Sequence, residues 1–274
     1  MKTKPTNILQ TLHYLSLDVV IGALLSSIMF WKMSDANSQP NALVLVVLAI
    51  CTWIIYIFDR LLDNIKSEPQ DARHQFHFTH QYYLQVVVIV LSILALFLVF
   101  FLPKPVIIFG IVFSAFLLLY FFLLQKKTSA SAYHYYKEIA TALLYSLPIF
   151  GSAFVGKAVG FWQYLSAFNF ILLVHQSILV FSWYEMQETP EAKNFAQKIG
   201  NKGVRWIVVG ITILMGVSFS ASAEGYMQNV FLIEFAMACA TLAVFIFSKK
   251  LSINQQYRWV GELVFWLPGV LIFS

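Results

Sequence analysis

The chain has 274 residues, of which 59% are hydrophobic and 11% charged, and its mean hydropathy is +0.74. Soluble domains carry about 25% charged residues, so soluble, disordered and fibrous proteins are excluded: no soluble fold of this size hides so much apolar surface. The net charge of +5 does not imply nucleic acid, because the basic residues fall between apolar runs, which is the pattern of membrane topology.

From the N-terminus, residues 1–10 hold two lysines but no short apolar stretch with a small-residue cleavage site, so no removable signal peptide is expected. Apolar runs of about 17–25 residues, the length that crosses a bilayer as a helix, then predict nine spans. They cover 14–31, 41–58, 82–102, 105–124, 139–155, 161–184, 204–223, 230–247 and 259–273. The third and fourth are divided by Pro103-Lys104-Pro105, a break no helix crosses. The runs are continuous rather than alternating, which excludes a β-barrel. Cys51 and Cys239 both fall inside apolar runs and read as small buried hydrophobes without disulfide or metal spacing. The expected fold is therefore all-α, a single multi-pass transmembrane helical bundle over 1–274 with nine transmembrane helices.

Nine spans place fifteen of the 18 Lys and Arg residues on the side of the N-terminus and only Lys32, Lys104 and Lys157 on the other. The positive-inside rule then makes the N-terminus cytoplasmic and puts the C-terminus outside. The long connections near 59–81, 125–138 and 185–203 all fall on the cytoplasmic side, where they are expected to cap the bundle. The expected location is the bacterial cytoplasmic membrane.

The second span ends at Asp59 and Asp63, four residues apart and so on one helical face. The sixth ends at Glu185 and Glu188, three apart, just before Pro190. Like charges at this spacing repel, and they make sense around a cation. Hard oxygen ligands suit Mg²⁺, which binds one or two carboxylates and completes its shell with water and substrate phosphates. The plain alternative for either pair is a set of acids solvating a helix end. Both pairs are expected at the same membrane surface.

These residues resemble the UbiA superfamily of intramembrane prenyltransferases, in which nine spans carry Asp-rich motifs on the second and sixth helices. In the register Ile55 to Asp63, Asp59 and Asp63 match the last two aspartates of the first motif, while its leading Asn-Asp is replaced. Arg73 falls where a basic residue often follows. The run from Tyr120 through Gln125-Lys126-Lys127-Thr128, the stretch Lys137-Glu138-Ile139 leading to Tyr145 and Gly151, and the stretch Lys193 to Gly200 are similar to the family as well. At the second motif, Glu185 and Glu188 stand in place of aspartates, with Trp183 and Tyr184 before them.

The resemblance implies a Mg²⁺-dependent transferase of alkyl groups, moving an isoprenyl group from a prenyl diphosphate to a lipophilic acceptor. It implies catalytic and metal-binding roles for Asp59, Asp63, Glu185 and Glu188. Arg60, Lys126, Lys127 and Lys137 are the candidates for binding the diphosphate, each with an alternative as a positive-inside topology residue. Two further functions stay open: a non-catalytic UbiA-like lipid-binding or scaffold membrane protein, and a UbiA-type terpene cyclase.

Four more ionisable groups, Asp18, His175, Glu234 and Glu262, lie inside predicted spans, where such groups usually face a cavity or a partner. Asp18 and His175 are candidates for the cavity, the latter about 15 Å deeper than Glu185 at the rise of an α-helix. Glu262 has Arg258 one turn before it, which predicts a local ion pair. Glu234 has no evident partner. His74, His77 and His80 invite a zinc reading, but no fourth ligand follows at a familiar spacing, and an interfacial helix is preferred.

Overall fold

A computed structural model describes residues 8–34, 39–66, 72–125, 131–189, 194–222 and 224–272. The secondary structure in them is helical, with no strand. A short helix α1 (Ile8–Tyr14) turns at Ser16 into α2 (Leu17–Ser34), followed by α3 (Ala42–Lys66), the short α4 (Ala72–Thr79), α5 (Gln81–Val99) and α6 (Lys104–Gln125). Then come α7 (Ser131–Phe154), α8 (Phe161–Glu188), α9 (Phe195–Ala221), α10 (Tyr226–Ile246), the single turn α11 (Ser248–Leu251) and α12 (Gln256–Leu263). The chain continues from α12 as a 3₁₀ helix, Val264–Ile272.

Seven of the described helices, α2, α3, α5, α6, α8, α9 and α10, are long and apolar enough to cross a membrane. The chain is a multi-pass membrane protein. The predicted run 139–155 lies within α7, which begins earlier with the polar turns of Ser131 to Lys137. The run 259–273 is divided between α12 and the 3₁₀ helix, where Pro268 removes a backbone donor. The long connections contain more helix than their composition indicates. α3 continues to Lys66, α4 fills part of 59–81, and α9 starts at Phe195 with a break at Gly200, whose φ of 70° an L side chain rarely adopts.

α8 is the centre of the bundle. Small and polar residues, Ser166, Ala167, Asn169 and Ser177 among them, are buried along it and let its neighbours approach closely. Phe30 of α2 meets Phe154 of α7 and Phe170 of α8 edge to face, with ring centroids 5.5 and 5.3 Å away. Gly22 lets α2 lie against the C-terminal 3₁₀ helix, since a Cβ there would stand 2.8 Å from Cβ of Phe265. Lys32 then donates to the carbonyl of Leu271 at 3.1 Å, satisfying the end of that helix. By contrast α6 is apolar all round with nothing buried in its hydrophobic window, and α5 buries only Leu84 and Ala95. Both face lipid along most of their length. Cys51 is half-buried and Cys239 exposed on α10, so the sequence expectation of two buried cysteines is corrected: an exposed thiol is tolerated on the outer face of a membrane-spanning helix.

Glu234, fully buried on α10, receives hydrogen bonds from Ser166 Oγ and from Asn169 Nδ2, the latter at 3.1 Å. Its partners lie on α8, nearly seventy residues away, which is why local spacing shows none.

Short α4 packs His77 inside, where its Nδ1 donates to the carbonyl of Arg73 at 2.8 Å; His80 donates likewise to Phe76 at 2.9 Å. These bonds keep the proton of each ring on Nδ1 and fix its orientation. Burial pushes the His77 imidazole down to about 4, with Arg73 and Arg60 acting in the same sense. A neutral His77 therefore stabilises the fold fully above the ordinary value of 6.5, and this contribution is lost as pH falls from 6.5 toward 4. The His77 share is about 3 kcal/mol, read in detergent as the difference between wild type and His77→Asn in how the thermal midpoint changes over this window, because Glu138, held up near 7, changes in the opposite sense there. His13 does not blur the window, because its carboxylate partners raise it and its contribution is constant below 6.5.

Candidate functional site

One cavity of about 590 Å³ opens among α3, α6, α7 and α8, bounded by α4 and α12 at its polar end. Its wall is made by helical stripes. α3 contributes Thr52, Ile55, Tyr56 and Asp59; α8 contributes Val174, Ser177, Ile178, Phe181, Ser182, Glu185 and Glu188, all spaced by one turn. α7 adds Lys137, Glu138, Thr141, Leu144, Tyr145 and Pro148. The charged members sit in the last turns of α3 and α8 and the second turn of α7, so they gather at one end. Pro148, Leu117, Val174 and Phe265 make the other end apolar. The size and the mixed lining are those of a small-molecule site.

Among the residues singled out in the sequence, Asp59, Glu185, Glu188, Arg60 and Lys137 all line this cavity. Asp63 lies one turn beyond Asp59 on α3, and its side chain is outside the described residues. Lys126 and Lys127 are outside them as well. Asp18 and His175 do not line the cavity. His175 is half-buried on another face of α8, its ring 6.1 Å from that of Phe195. Trp183 and Tyr184 pack away from the cavity. Tyr184 stacks on Tyr257 at 4.0 Å and donates to the carbonyl of Val244, and Trp183 donates to Asn201 Oδ1 at 2.7 Å.

The local pair predicted between Arg258 and Glu262 is not formed. Arg258 reaches across to α8, where its Nη2 meets Glu185 Oε1 at 3.0 Å. Gln255 Nε2 stands 3.4 Å from Glu188 Oε2. Glu262 turns instead to Arg73 on α4, at 3.4 Å, and to His13 on α1, at 3.0 Å. His13 Nδ1 is also 2.5 Å from Asp18 Oδ2, and its ring stacks on Trp259 with centroids 4.4 Å apart. Arg73 completes the group by donating to Ser16 Oγ, at the left-handed turn between α1 and α2. Burial disfavours the charged imidazole, but the Asp18 and Glu262 carboxylates outweigh it and hold His13 above its ordinary value. Two carboxylates thus face two cations in a nearly closed cluster. Asp18 belongs to this cluster, behind the cavity wall, whereas Arg73 and Glu262 belong to both.

Glu138, Arg258, Tyr120 and Thr141 also line the cavity and were not among the sequence's site candidates. For Glu138 a signal exists, since Glu138, Thr141, Tyr145 and Pro148 recur at spacings of three and four on one helical face. Tyr120 and Thr141 join α6 to α7 through their hydroxyls, 3.2 Å apart. Arg258 meets Glu185 across 73 residues, a separation no local pattern encodes.

The site combines carboxylates, cations and an apolar end, which together suit binding of a charged head group on an apolar tail. No family model, no curated protein and no solved structure matches this chain.

Proposed function

We propose that this chain is a divergent UbiA-like intramembrane prenyltransferase, with nine spans, a cytoplasmic N-terminus and its cavity open to the cytoplasmic side of a bacterial membrane. In this topology α7 and the C-terminal α12 with its 3₁₀ continuation complete the count. The observation that carries the reading is that Asp59 and, more than 120 residues later, Glu185 and Glu188 line one cavity together with Arg60 and Lys137.

Asp59, Asp63, Glu185 and Glu188 offer the oxygen donors that Mg²⁺ takes and are the residues that would hold it, although Asp59, Glu185 and Glu188 line one cavity without their carboxylates gathering within 4.8 Å of one another. Bound there, the ion would neutralise the charge of a leaving diphosphate. Arg60, Lys137 and Arg258 supply fixed positive charge for the same group, and Arg258 is already drawn to the site by Glu185. The apolar end receives the isoprenyl chain and keeps water from the allylic centre. The rings of Tyr56 and Tyr145, 6.4 Å apart and edge to face, offer π-density to developing positive charge.

A second reading, a non-catalytic UbiA-like lipid-binding protein, is favoured by the engagement of Glu185 with Arg258 and of Glu188 with Gln255. Incubating the purified protein in detergent with Mg²⁺ and a panel of radiolabelled prenyl diphosphates separates the two. Transferase chemistry releases diphosphate from at least one donor when an acceptor is present; tight binding of every donor without release supports the lipid-binding reading.

A further inference from the structure

The second turn of α7 carries a carboxylate that the reading above leaves unused. Glu138 is 6% exposed and lines the cavity. Its Oε1 accepts the backbone N–H of Phe195 at 2.8 Å. Phe195 is the first residue of α9, where helices have unpaired donors and favour negative charge. The other oxygen, Oε2, is buried with no hydrogen-bond partner among the described residues. Leaving such an oxygen without a donor is costly, and native structures rarely do so without a reason.

The hydroxyls beside it are committed elsewhere. Thr141 Oγ1 donates to the carbonyl of Lys137 at 2.8 Å, and Tyr145 donates to the carbonyl of Val19 at 3.3 Å. Ser182 is close enough to favour the charged carboxylate without completing a hydrogen bond to Oε2. A hydroxyl entering the cavity would supply the missing donor, and the apolar lining at Leu144 and Ile178 favours a lipophilic molecule as its carrier.

We propose that Glu138 Oε2 binds the hydroxyl of a lipophilic ligand in this cavity and, in the transfer reaction, takes the proton that this ligand loses. The second half rests on the transferase reading above. In that reaction the bond between the allylic carbon and the diphosphate oxygen breaks, and its electron pair leaves with diphosphate. The acceptor's nucleophilic atom forms the new bond to that carbon, and the proton it sheds moves to the Glu138 carboxylate. Glu138 is suited to this exchange: burial pushes its carboxyl up to about 7, and Glu185 on α8 adds to the rise, against Phe195 N–H, Ser182 and Lys137. Asp59, Arg60, Arg73, His74, Glu188, Arg258 and Glu262 are the other charged and titratable groups that share this end of the cavity.

The test uses 4-heptylphenol and its methyl ether, 4-heptylanisole, which differ only in the hydroxyl proton and a methyl group. Their binding to wild type and Glu138→Gln is measured in detergent between pH 5.5 and 8.5, alongside Mg²⁺-dependent binding of geranylgeranyl diphosphate. Glutamine keeps an oxygen for Phe195 N–H but places a donor where the phenol requires an acceptor. Wild type is expected to prefer the phenol by about tenfold or more above pH 7, because a hydrogen bond to a charged group is at stake. That preference should fade as pH drops below 7, and Glu138→Gln should show neither the preference nor its pH dependence while still binding the diphosphate. Should the glutamine variant fail to fold, Glu138→Asp, which keeps the charge but withdraws the oxygen, is expected to reduce the preference and retain the pH dependence. A wild type that binds both compounds equally at every pH overturns the proposal whatever the variants do. A phenol preference that follows Glu138 in a protein that binds no prenyl diphosphate upholds the hydroxyl site and overturns the transferase reading instead.

Discussion

Under the proposed transferase function, replacing Asp59 by asparagine is expected to lower Mg²⁺-dependent turnover of a prenyl diphosphate by about 100- to 1,000-fold, the range seen when a fixed group that stabilises developing charge is removed. Asparagine keeps the volume but withdraws a hard anionic ligand, and the loss is felt most where leaving-group charge peaks. Asp63→Asn, one turn further along α3, is expected to cost as much. Glu185→Gln should cost less, for a reason visible in the structure. Arg258 already meets Glu185 at 3.0 Å, so its carboxylate is partly spent, and neutralising it releases a cation toward the diphosphate. Steady-state kinetics of the three variants checks the order; equal losses at all three positions would remove the distinction between Glu185 and the aspartates.

The largest stability effect is expected at Arg73. Its guanidinium is buried, pairs with Glu262 at 3.4 Å and donates to Ser16, so Arg73→Met leaves Glu262 and Asp18 with only His13 between them. Breaking a buried pair from one side costs about 3–5 kcal/mol, on the order of 10 °C in thermal midpoint for a chain of this size. The double variant Arg73→Met with Glu262→Met is expected to recover much of this, because the uncompensated charge leaves with its partner. Arg258→Met provides the contrast. Glu185 is 44% exposed, and so accessible a pair is worth about 1 kcal/mol or less. Thermal melts of the four proteins in one detergent measure the difference.

What the sequence made legible follows the distance over which each interaction acts. Helices such as α5 and α6 are written in unbroken apolar runs, and Pro103 with Pro105 marks the break between them. The carboxylates at the ends of α3 and α8 stood out because charge at the end of an apolar run is conspicuous, and each pair lies within one turn. The partners that define the site are not local. Glu262 could be assigned to Arg258 by spacing, yet the fold brings it Arg73 from 189 residues away, and Arg258 goes to Glu185. Asp18 has its short-range partner in His13 only because Ser16 adopts a left-handed turn, which nothing in a serine announces. Glu138, beside Lys137 at the edge of an apolar run, reads first as a loop charge although its stripe with Thr141 and Tyr145 is present, and the arrival of the α9 N-terminus gives its carboxylate a fixed place.

Equilibrium binding of radiolabelled geranylgeranyl diphosphate to the purified protein, with Mg²⁺ and then with excess chelator, tests the central claim most directly. A metal-assisted diphosphate site at Asp59, Glu185 and Glu188 predicts saturable binding of one molecule per chain that chelation removes and Asp59→Asn weakens. Binding that is indifferent to both chelator and Asp59→Asn, or no binding at all, would contradict it.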